Sequence, residues 1–435
     1  MDKFIVYHPK LTKPDRIVLE TLAADIEQFS RSTADDQGRA NGHIDSCNEI
    51  KYASALTRLD ALNNPKHSDF EPTIFTEHDY DRIGWNTSIG RYVLRPYLRV
   101  AQSIVRHETD VVMLTHLILY FSTSVPSALA LFFWRFTWVH GMIHFIMQLS
   151  YMGTYTLMMH QHIHMRGVLN RQFAIFDHLF PYITDPLMGH TWNSYYYHHV
   201  KHHHVEGNGP DDLSSTVRYQ RDDVFHFLHY VGRFFFLVWF DLPCYFLRKQ
   251  KPVLAVKAAF WEIGNYITLA SLYVWQPKPT LFVFLLPLFL LRVGLMVGNW
   301  GQHAFVDAHE PDSDYRSSIT LIDVASNRYS YNDGYHTSHH LNPLRHWRDH
   351  PNAFMKGKRT YETNGALVFH NIDYIMITVR LLMKDYAHLA KCMVPIGKEQ
   401  LAMSLADRVH LLKAHTRRFS EQEIGDKFKS SSSQT

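Results

Sequence analysis

Four clusters of metal-ligand residues in this chain have the spacing that lets a helix aim several side chains at one point. Two are His-x-x-His-His patterns, one is a His-x-x-x-His pair and one is an Asn-x-x-x-His pair. Residues three and four apart lie on one face of a helix, so each cluster can present its side chains together. The residues are His160 and His164; His199, His202 and His203; Asn299 and His303; and His336, His339 and His340.

Together the clusters offer nine imidazoles and one amide, which is more than a single metal ion can use. Neutral imidazole is the commonest metal ligand in proteins, and an ion takes about four to six ligands. We therefore predict two metal ions. Carboxylates about one helical turn from the ligands are expected to orient the imidazoles. The candidates for this role are Glu206, Asp307 and Asp333.

The sequence alone leaves the choice of ligands open in two clusters. His162 lies about 200° around a helix from His160, so it is left out of the predicted site, although an extended backbone would bring it to the same side. In the second cluster the alternatives are His198, His202 and His203, or His199, His203 and His204. On a regular α-helix His198 and His204 lie about 100° from their cluster neighbours, so we expect them to contribute less than His202.

The composition argues against several other classes of protein. The chain has 435 residues and a formal net charge of +3, without a compact basic stripe, so no nucleic-acid partner is expected. Its three cysteines are too scattered for a disulfide framework or a zinc ribbon. The first residues have no apolar core, so the sequence predicts no cleaved secretory signal and assigns membrane targeting to internal spans.

Four apolar segments have about the twenty residues needed to cross ~30 Å of hydrocarbon. The predicted spans are residues 111–133, 137–159, 253–275 and 280–300.

A fifth apolar segment, residues 225–247, contains Arg233 and Asp241, which make a crossing costly. A third crossing between His203 and His303 would also put the histidine clusters on opposite sides of the membrane. We therefore predict that this segment lies along the membrane surface.

The distribution of arginines around the first span predicts the orientation of the chain. Arg91, Arg95, Arg99 and Arg106 precede the span, whereas the connector after it carries only Arg135. Because cytosolic flanks are enriched in Lys and Arg, the N-terminus is predicted to be cytosolic. With four spans, both termini and all four clusters then face the cytosol.

The predicted fold is an all-α integral membrane protein with four transmembrane helices, interfacial helices and a cytosolic histidine-box di-metal cap. Residues 1–105 form a cytosolic flank with a disordered piece near 30–45, and residues 106–350 form the membrane core. Residues 351–435 form a cytosolic region with an amphipathic helix at 366–383 and a disordered tail at 430–435.

Residues 110–350 resemble the membrane-bound fatty acid desaturase and hydroxylase superfamily. The motifs that carry the resemblance are H-x-x-x-H at His160/His164, H-x-x-H-H at His199/His202/His203, N-x-x-x-H at Asn299/His303 and H-x-x-H-H at His336/His339/His340. The resemblance implies that the metals are two iron ions and that the reaction consumes O2. It also implies oxidation of an unactivated C–H bond in a fatty acyl chain or related lipid. Desaturation is the favoured outcome, with hydroxylation, acetylenation and epoxidation as alternatives.

The source of electrons is expected to be a separate protein. His8-Pro9 is followed by Lys-Leu rather than Gly-Gly, which does not resemble the haem-binding signature of a fused cytochrome b5. The last box also begins with His336 rather than Gln, which disfavours the front-end desaturase subgroup. The resemblance therefore implies an external donor, such as cytochrome b5 and its reductase or a ferredoxin system, and an endoplasmic reticulum location.

A histidine-rich membrane metal transporter is the rival function from a different class. Transport requires polar ligands near the middle of the bilayer. The predicted spans hold few polar residues besides Glu262 and Arg292, whereas the histidine clusters lie at span ends. This placement favours the enzyme.

The predicted topology can be tested with glycosylation acceptor sequences inserted after residue 210 and after residue 350. Both should stay unmodified in endoplasmic reticulum membranes, because both sites lie on the cytosolic side of a four-span chain. The readout is the gel mobility of the chain with and without glycosidase. Modification at only one of the two sites would contradict the four-span topology.

Overall fold

The computed structural model describes residues 5–34, 41–322 and 324–428. The chain divides into two compact units. Unit 1 combines Met1–Pro72, Thr216–Val224 and Trp300–Thr435, and unit 2 combines Thr73–Ser215 and Phe225–Asn299. The predicted disordered tail lies outside the described residues, as does the centre of the predicted disordered piece, whose two ends, 30–34 and 41–45, are helical. The predicted boundaries of the cytosolic flanks and the membrane core stay predictions.

Unit 2 is built from helices throughout the part of the chain that the structure describes. Two of its helices extend by one and three residues into segments that belong to unit 1. In chain order the helices are Tyr80–Arg82, Gly90–Leu94, Arg95–Ile104, Val111–Ser122, Ser124–Phe133, Trp138–Met165, Arg171–Phe173, Ala174–Leu187, Tyr196–His203, His204–Glu206, Val224–Arg248, Pro252–Trp275, Pro277–Thr280, Leu281–Leu285 and Leu286–Gln302.

Three helical segments among the described residues are long and apolar enough to cross a membrane. They are Val111–Phe133, Val224–Arg248 and Pro277–Gln302. The first and the third coincide with the predicted spans 111–133 and 280–300. The second coincides with the segment that we placed along the membrane surface, so its interfacial placement stays a prediction.

The other two predicted spans are also helices of sufficient length. Trp138–Met165 has 28 residues and Pro252–Trp275 has 24. Neither meets the criterion of apolar composition that the three candidates meet. The count of four spans therefore also stays a prediction.

The Trp138–Met165 helix delivers the first histidine pair at its C-terminal end. Its N-cap residue is Thr137, whose side chain accepts a hydrogen bond from the backbone N–H of His140. It ends at Arg166, which is in the left-handed conformation. The next residue must be glycine, because a Cβ on Gly167 would lie 2.0 Å from Oδ2 of Asp177. That carboxylate accepts the next two backbone N–H groups and so fixes the turn.

The second histidine cluster rests on two long helices of unit 2. Tyr197, which precedes the cluster, is buried together with Leu242 and Tyr245 of Val224–Arg248 and with Ala258 of Pro252–Trp275. Burial of apolar surface of this kind contributes about 25 cal/mol per Å². The cluster is therefore held by packing as well as by its own helix.

Unit 1 contains a three-stranded sheet that the all-α prediction did not include. The strands are Ile319–Ile322, Leu367–His370 and Met393–Val394. The first two pair in parallel and the last two pair antiparallel. With two to four residues each, these strands are too short for sequence periodicity to reveal them.

Helices account for most of the remaining regular structure of unit 1. In chain order they are Lys13–Ala34, Asn41–Asn63, Asp314–Ser317, Val324–Tyr329, His336–Leu341, Trp347–Asp349, His350–Thr363, Tyr374–Leu382, Tyr386–Cys392, Gly397–Ala402, Leu405–Ala414 and Glu421–Lys427.

The short helix with the last histidine box is held by the residues that precede it. The backbone N–H of Leu321 and the hydroxyl of Tyr374 both donate to the carbonyl of Gly334, at 2.7 Å and 2.9 Å. A side chain at Gly334 would clash, because its Cβ would lie 2.1 Å from Oδ1 of Asn327. The strand and two neighbouring helices thus fix where the His336–Leu341 helix begins.

The N-terminal helix is part of the same core. Asp15 is fully buried and accepts hydrogen bonds from the hydroxyl of Tyr335 at 2.7 Å and from the amide of Asn327 at 2.9 Å. Tyr335 directly precedes His336. The Asp15 carboxylate therefore links the start of the chain to the last histidine box.

Replacing Asp15 with alanine should destabilise the protein, because it leaves two buried donors without their acceptor. We expect a loss of about 3 kcal/mol, measured by thermal unfolding of the purified chain. The matched control is Asp69→Ala at a carboxylate whose side chain is 72% exposed, which should cost less than about 0.5 kcal/mol. Equal unfolding temperatures for the two variants would show that the buried network is not stabilising.

Candidate metal centre

Unit 2 brings four imidazoles together at the ends of two histidine clusters. Ligand nitrogens of His160, His164, His199 and His204 all lie within 4.8 Å of one another. Nε2 of His199 is 2.8 Å from Nε2 of His160 and 3.0 Å from Nε2 of His204. His160 and His164 are buried.

Unit 1 brings together three further imidazoles in the same way. Ligand nitrogens of His303, His336 and His340 lie within 4.8 Å of one another, and all three residues are buried or nearly so. Nε2 of His336 is 3.3 Å from Nε2 of His303 and 3.1 Å from Nε2 of His340.

Hydrogen bonds between the rings cannot account for either group. A neutral imidazole nitrogen has either one N–H or one lone pair, so it can satisfy only one neighbouring nitrogen. The central Nε2 in each group, that of His199 or His336, faces two others. Nitrogen ligands about 2.1 Å from one metal ion lie roughly 3.0–4.2 Å apart. The Nε2 distances in both groups, 2.8–3.3 Å, are close to the short end of this range, as expected for ligands of one cation.

The environment keeps the central imidazole of unit 2 in the form that binds metals. Burial, followed by the neighbouring His204, His160 and His164, holds the pKa of His199 well below its usual value. His199 is therefore neutral at physiological pH and offers a lone pair.

Two further imidazoles are oriented through their second ring nitrogen. Nδ1 of His303 donates to the backbone carbonyl of Ser317 at 2.7 Å, so its Nε2 carries the lone pair. Nδ1 of His203 donates to the carboxylate of Asp212, also at 2.7 Å. The nearby His203 and His202 outweigh the effect of burial and hold the pKa of Asp212 well below its usual value. Asp212 is thus an ionised acceptor that fixes the ring of His203.

A π-helix changes the register of the second cluster from the one we favoured. Residues Tyr196–His203 form this helix, in which hydrogen bonds connect residues five apart. His199 and His204 are five residues apart and therefore meet, and the structure groups these two with His160 and His164 but not with His203. The α-helical spacing behind the choice of His202 does not apply here.

His202 belongs to a separate group with His198 and Asp212. Nε2 of His202 accepts the backbone N–H of Leu213 at 2.8 Å, and its ring packs against Tyr245 at 4.1 Å between centroids. The lone pair of that nitrogen is therefore engaged. The structure does not place His202 with the four imidazoles of unit 2.

The three predicted orienting carboxylates have other partners. Glu206 accepts a hydrogen bond from Tyr245 at 2.6 Å. Asp333 accepts one from Gln302 at 2.8 Å, and burial raises its pKa to about 7. Asp307 accepts the backbone N–H groups of two residues that follow it, His309 and Glu310. None of these contacts is to a ligand imidazole.

Sequence reasoning missed Asp212 as an orienting residue. It lies nine residues beyond His203, so no helical spacing relates the two. The loop after the His204–Glu206 turn brings it back.

Three other residues considered for the predicted site have surroundings of their own. The amide nitrogen of Asn299 donates to the carbonyl of Ser214 at 2.8 Å and to the hydroxyl of Tyr230 at 2.6 Å, so the structure gives Asn299 partners other than imidazoles. His339 lies on the helix of the last box, with its ring centroid 6.0 Å from that of His336. His162, which we left out, lies beside Asp177 instead of joining the group.

Comparison with known families shows which family the chain belongs to. The sequence model of the family described as fatty acid desaturase matches residues 128–371, more than half of the chain and all four histidine clusters. The chain belongs to the fatty acid desaturase family. This family is an oxidoreductase family and depends on metal, and the resemblance seen in the histidine motifs is confirmed. No curated protein and no solved structure matches the chain significantly.

The register can be tested by comparing His204→Ala with His202→Ala. Removing His204 takes one of four imidazoles from unit 2, so metal affinity should fall by at least about 100-fold. Removing His202 should lower it by less than about tenfold, because its Nε2 is engaged by a backbone N–H. Competition with a chelator measures both affinities. A larger loss of metal affinity in His202→Ala than in His204→Ala would support the His-x-x-His-His set of ligands instead.

Proposed function

We propose that this protein catalyses the O2-dependent oxidation of an unactivated C–H bond in a fatty acyl chain or related lipid. Desaturation is the favoured outcome. The reaction uses two iron ions, bound by the two groups of imidazoles described above. The observation that carries the proposal is the central Nε2 of His199 in one unit and of His336 in the other, each facing two further Nε2 atoms within 3.3 Å.

The chemistry of the ligands and the family supports this choice of metal and substrate. Imidazole is a suitable ligand for iron, and membership of the fatty acid desaturase family supports an acyl lipid as substrate. Bound iron supplies the activation of O2, which protein side chains cannot perform.

The residues of the chain act by holding the ligands in place. Ser317 and Asp212 fix the tautomers of His303 and His203, so that Nε2 of each ring carries the lone pair. Burial of His160 keeps water away from the ligand nitrogens. Prearranged ligands of this kind lower the cost of reorganisation during the reaction.

The proposal includes an external electron donor, such as cytochrome b5 and its reductase, and a location in the endoplasmic reticulum membrane with the site facing the cytosol. Three helices that can cross a membrane support a membrane location. The transporter alternative loses support because the family is one of oxidoreductases.

The decisive test supplies purified, iron-loaded protein with NADH, cytochrome b5, its reductase and acyl lipids. We expect NADH-dependent O2 uptake and a lipid product two mass units lighter. His164→Ala should lower product formation by at least about 100-fold, because it removes a ligand.

The matched control for this test is His140→Ala. His140 lies on the same helix, about 36 Å from His164, and its ring contacts Ser127 at 2.9 Å. This variant should retain activity within a few-fold of the original. Full activity in His164→Ala would contradict the proposed site.

A further inference from the structure

A pocket of about 490 Å³ lies within unit 2, close to the imidazoles of that unit. This volume is within the roughly 300–1,000 Å³ that is usual for small-molecule sites. Among its lining residues, Asp185 and His190 are buried, with 8% and 5% of their surfaces exposed, whereas Arg166 and His178 are exposed. The pocket therefore has an acidic, buried interior and a rim that carries a cationic residue.

Aromatic side chains form much of the wall. They are Tyr182, Tyr195, Tyr196, Tyr197 and Trp261. The rings of Tyr182 and Trp261 lie 5.6 Å apart between centroids. The face of an aromatic ring attracts cations, and several rings around one space bind quaternary ammonium groups.

The carboxyl group of Asp185 adds an ionisable acid to this aromatic wall. One of its oxygens accepts a hydrogen bond from the hydroxyl of Tyr155 at 2.6 Å. No lysine or arginine of the described chain pairs with it, and burial raises its pKa to about 7. A cation bound in the pocket would stabilise the ionised carboxylate.

The pocket borders the imidazoles without opening onto them. Tyr195 lines the pocket, and its ring also contacts those of His199 and His160, at 5.1 Å and 6.2 Å between centroids. Tyr195 therefore lies between the pocket and these two rings. This arrangement suits recognition of a part of the substrate that does not react.

We propose that the pocket binds the quaternary ammonium head group of a choline phospholipid, with the ammonium beside Asp185 and the aromatic rings. Arg166 and His178 at the exposed side are then placed to bind the phosphate. The identification of this lipid as the substrate rests on the proposed function, whereas binding of the head group does not.

The test measures binding of short-chain lipids to the full chain in detergent by calorimetry. Dihexanoyl phosphatidylcholine is compared with the matching phosphatidylethanolamine and phosphatidylglycerol, and with free choline and phosphocholine. We expect the choline lipid to bind at least tenfold more tightly than each of the others.

Variants then assign the binding to the pocket. Asp185→Asn keeps the size and an acceptor for Tyr155 but removes the charge, and should weaken binding of the choline lipid at least tenfold. Tyr182→Leu should do the same, whereas Tyr182→Phe keeps the ring face and should bind normally. Tyr92→Leu, at a tyrosine that is 79% exposed and does not line the pocket, is the matched control. Unfolding temperatures show whether each variant is folded.

Equal binding of the three lipids, or unchanged binding in both Asp185→Asn and Tyr182→Leu, would overturn the proposal. Equal binding of free phosphocholine and the lipid would overturn the assignment to a lipid head group. Oxidation of acyl lipids without head-group selectivity would overturn the identification of the choline lipid as the substrate and leave the proposed function standing. Selective binding of the choline lipid without its oxidation, in the presence of NADH, cytochrome b5 and its reductase, would overturn the proposed function. It would leave the head-group pocket standing.

Discussion

The structure of this site depends on a simple limit: an imidazole nitrogen has one N–H or one lone pair, and never both. In each unit one Nε2 atom nevertheless faces two others at hydrogen-bonding distance. Only a cation can use all of these lone pairs together. The same limit explains why the second nitrogen of His303 must donate to Ser317, since this hydrogen bond leaves the lone pair at Nε2. The surrounding fold provides the anchors that this arrangement needs. Examples are the link from Asp15 to Tyr335 and the turn at Gly167.

The existence of the clusters was predictable from the sequence because it follows from spacing on a helix. His160 and His164 lie in one long α-helix, where residues four apart share a face, and the structure brings them together. The expectation that His303 lies near His336 and His340 followed instead from topology, because a long apolar helix ends just before His303 and beside the last box.

The register of the second cluster was not predictable in the same way. The sequence has five histidines between residues 198 and 204, so several sets have plausible spacing. The π-helix brings His204 rather than His202 to His199, and its hydrogen-bond pattern depends on packing against neighbouring helices rather than on local sequence. Asp212 was missed for a related reason, because a loop rather than a helix places it beside His203. The sheet of unit 1 depends on pairing between strands that are up to 48 residues apart in the chain, such as Ile319 with Leu367.

The central claim is that the two groups of imidazoles bind two iron ions per chain. Its most direct test is the iron content of the purified chain after anaerobic loading with Fe(II), with weakly bound metal removed. We predict two irons per chain for the unaltered protein, and one each for His164→Ala and His303→Ala, which remove a ligand from different units. Saturation of the unaltered chain at a single iron, or retention of both irons by either variant, would contradict the claim.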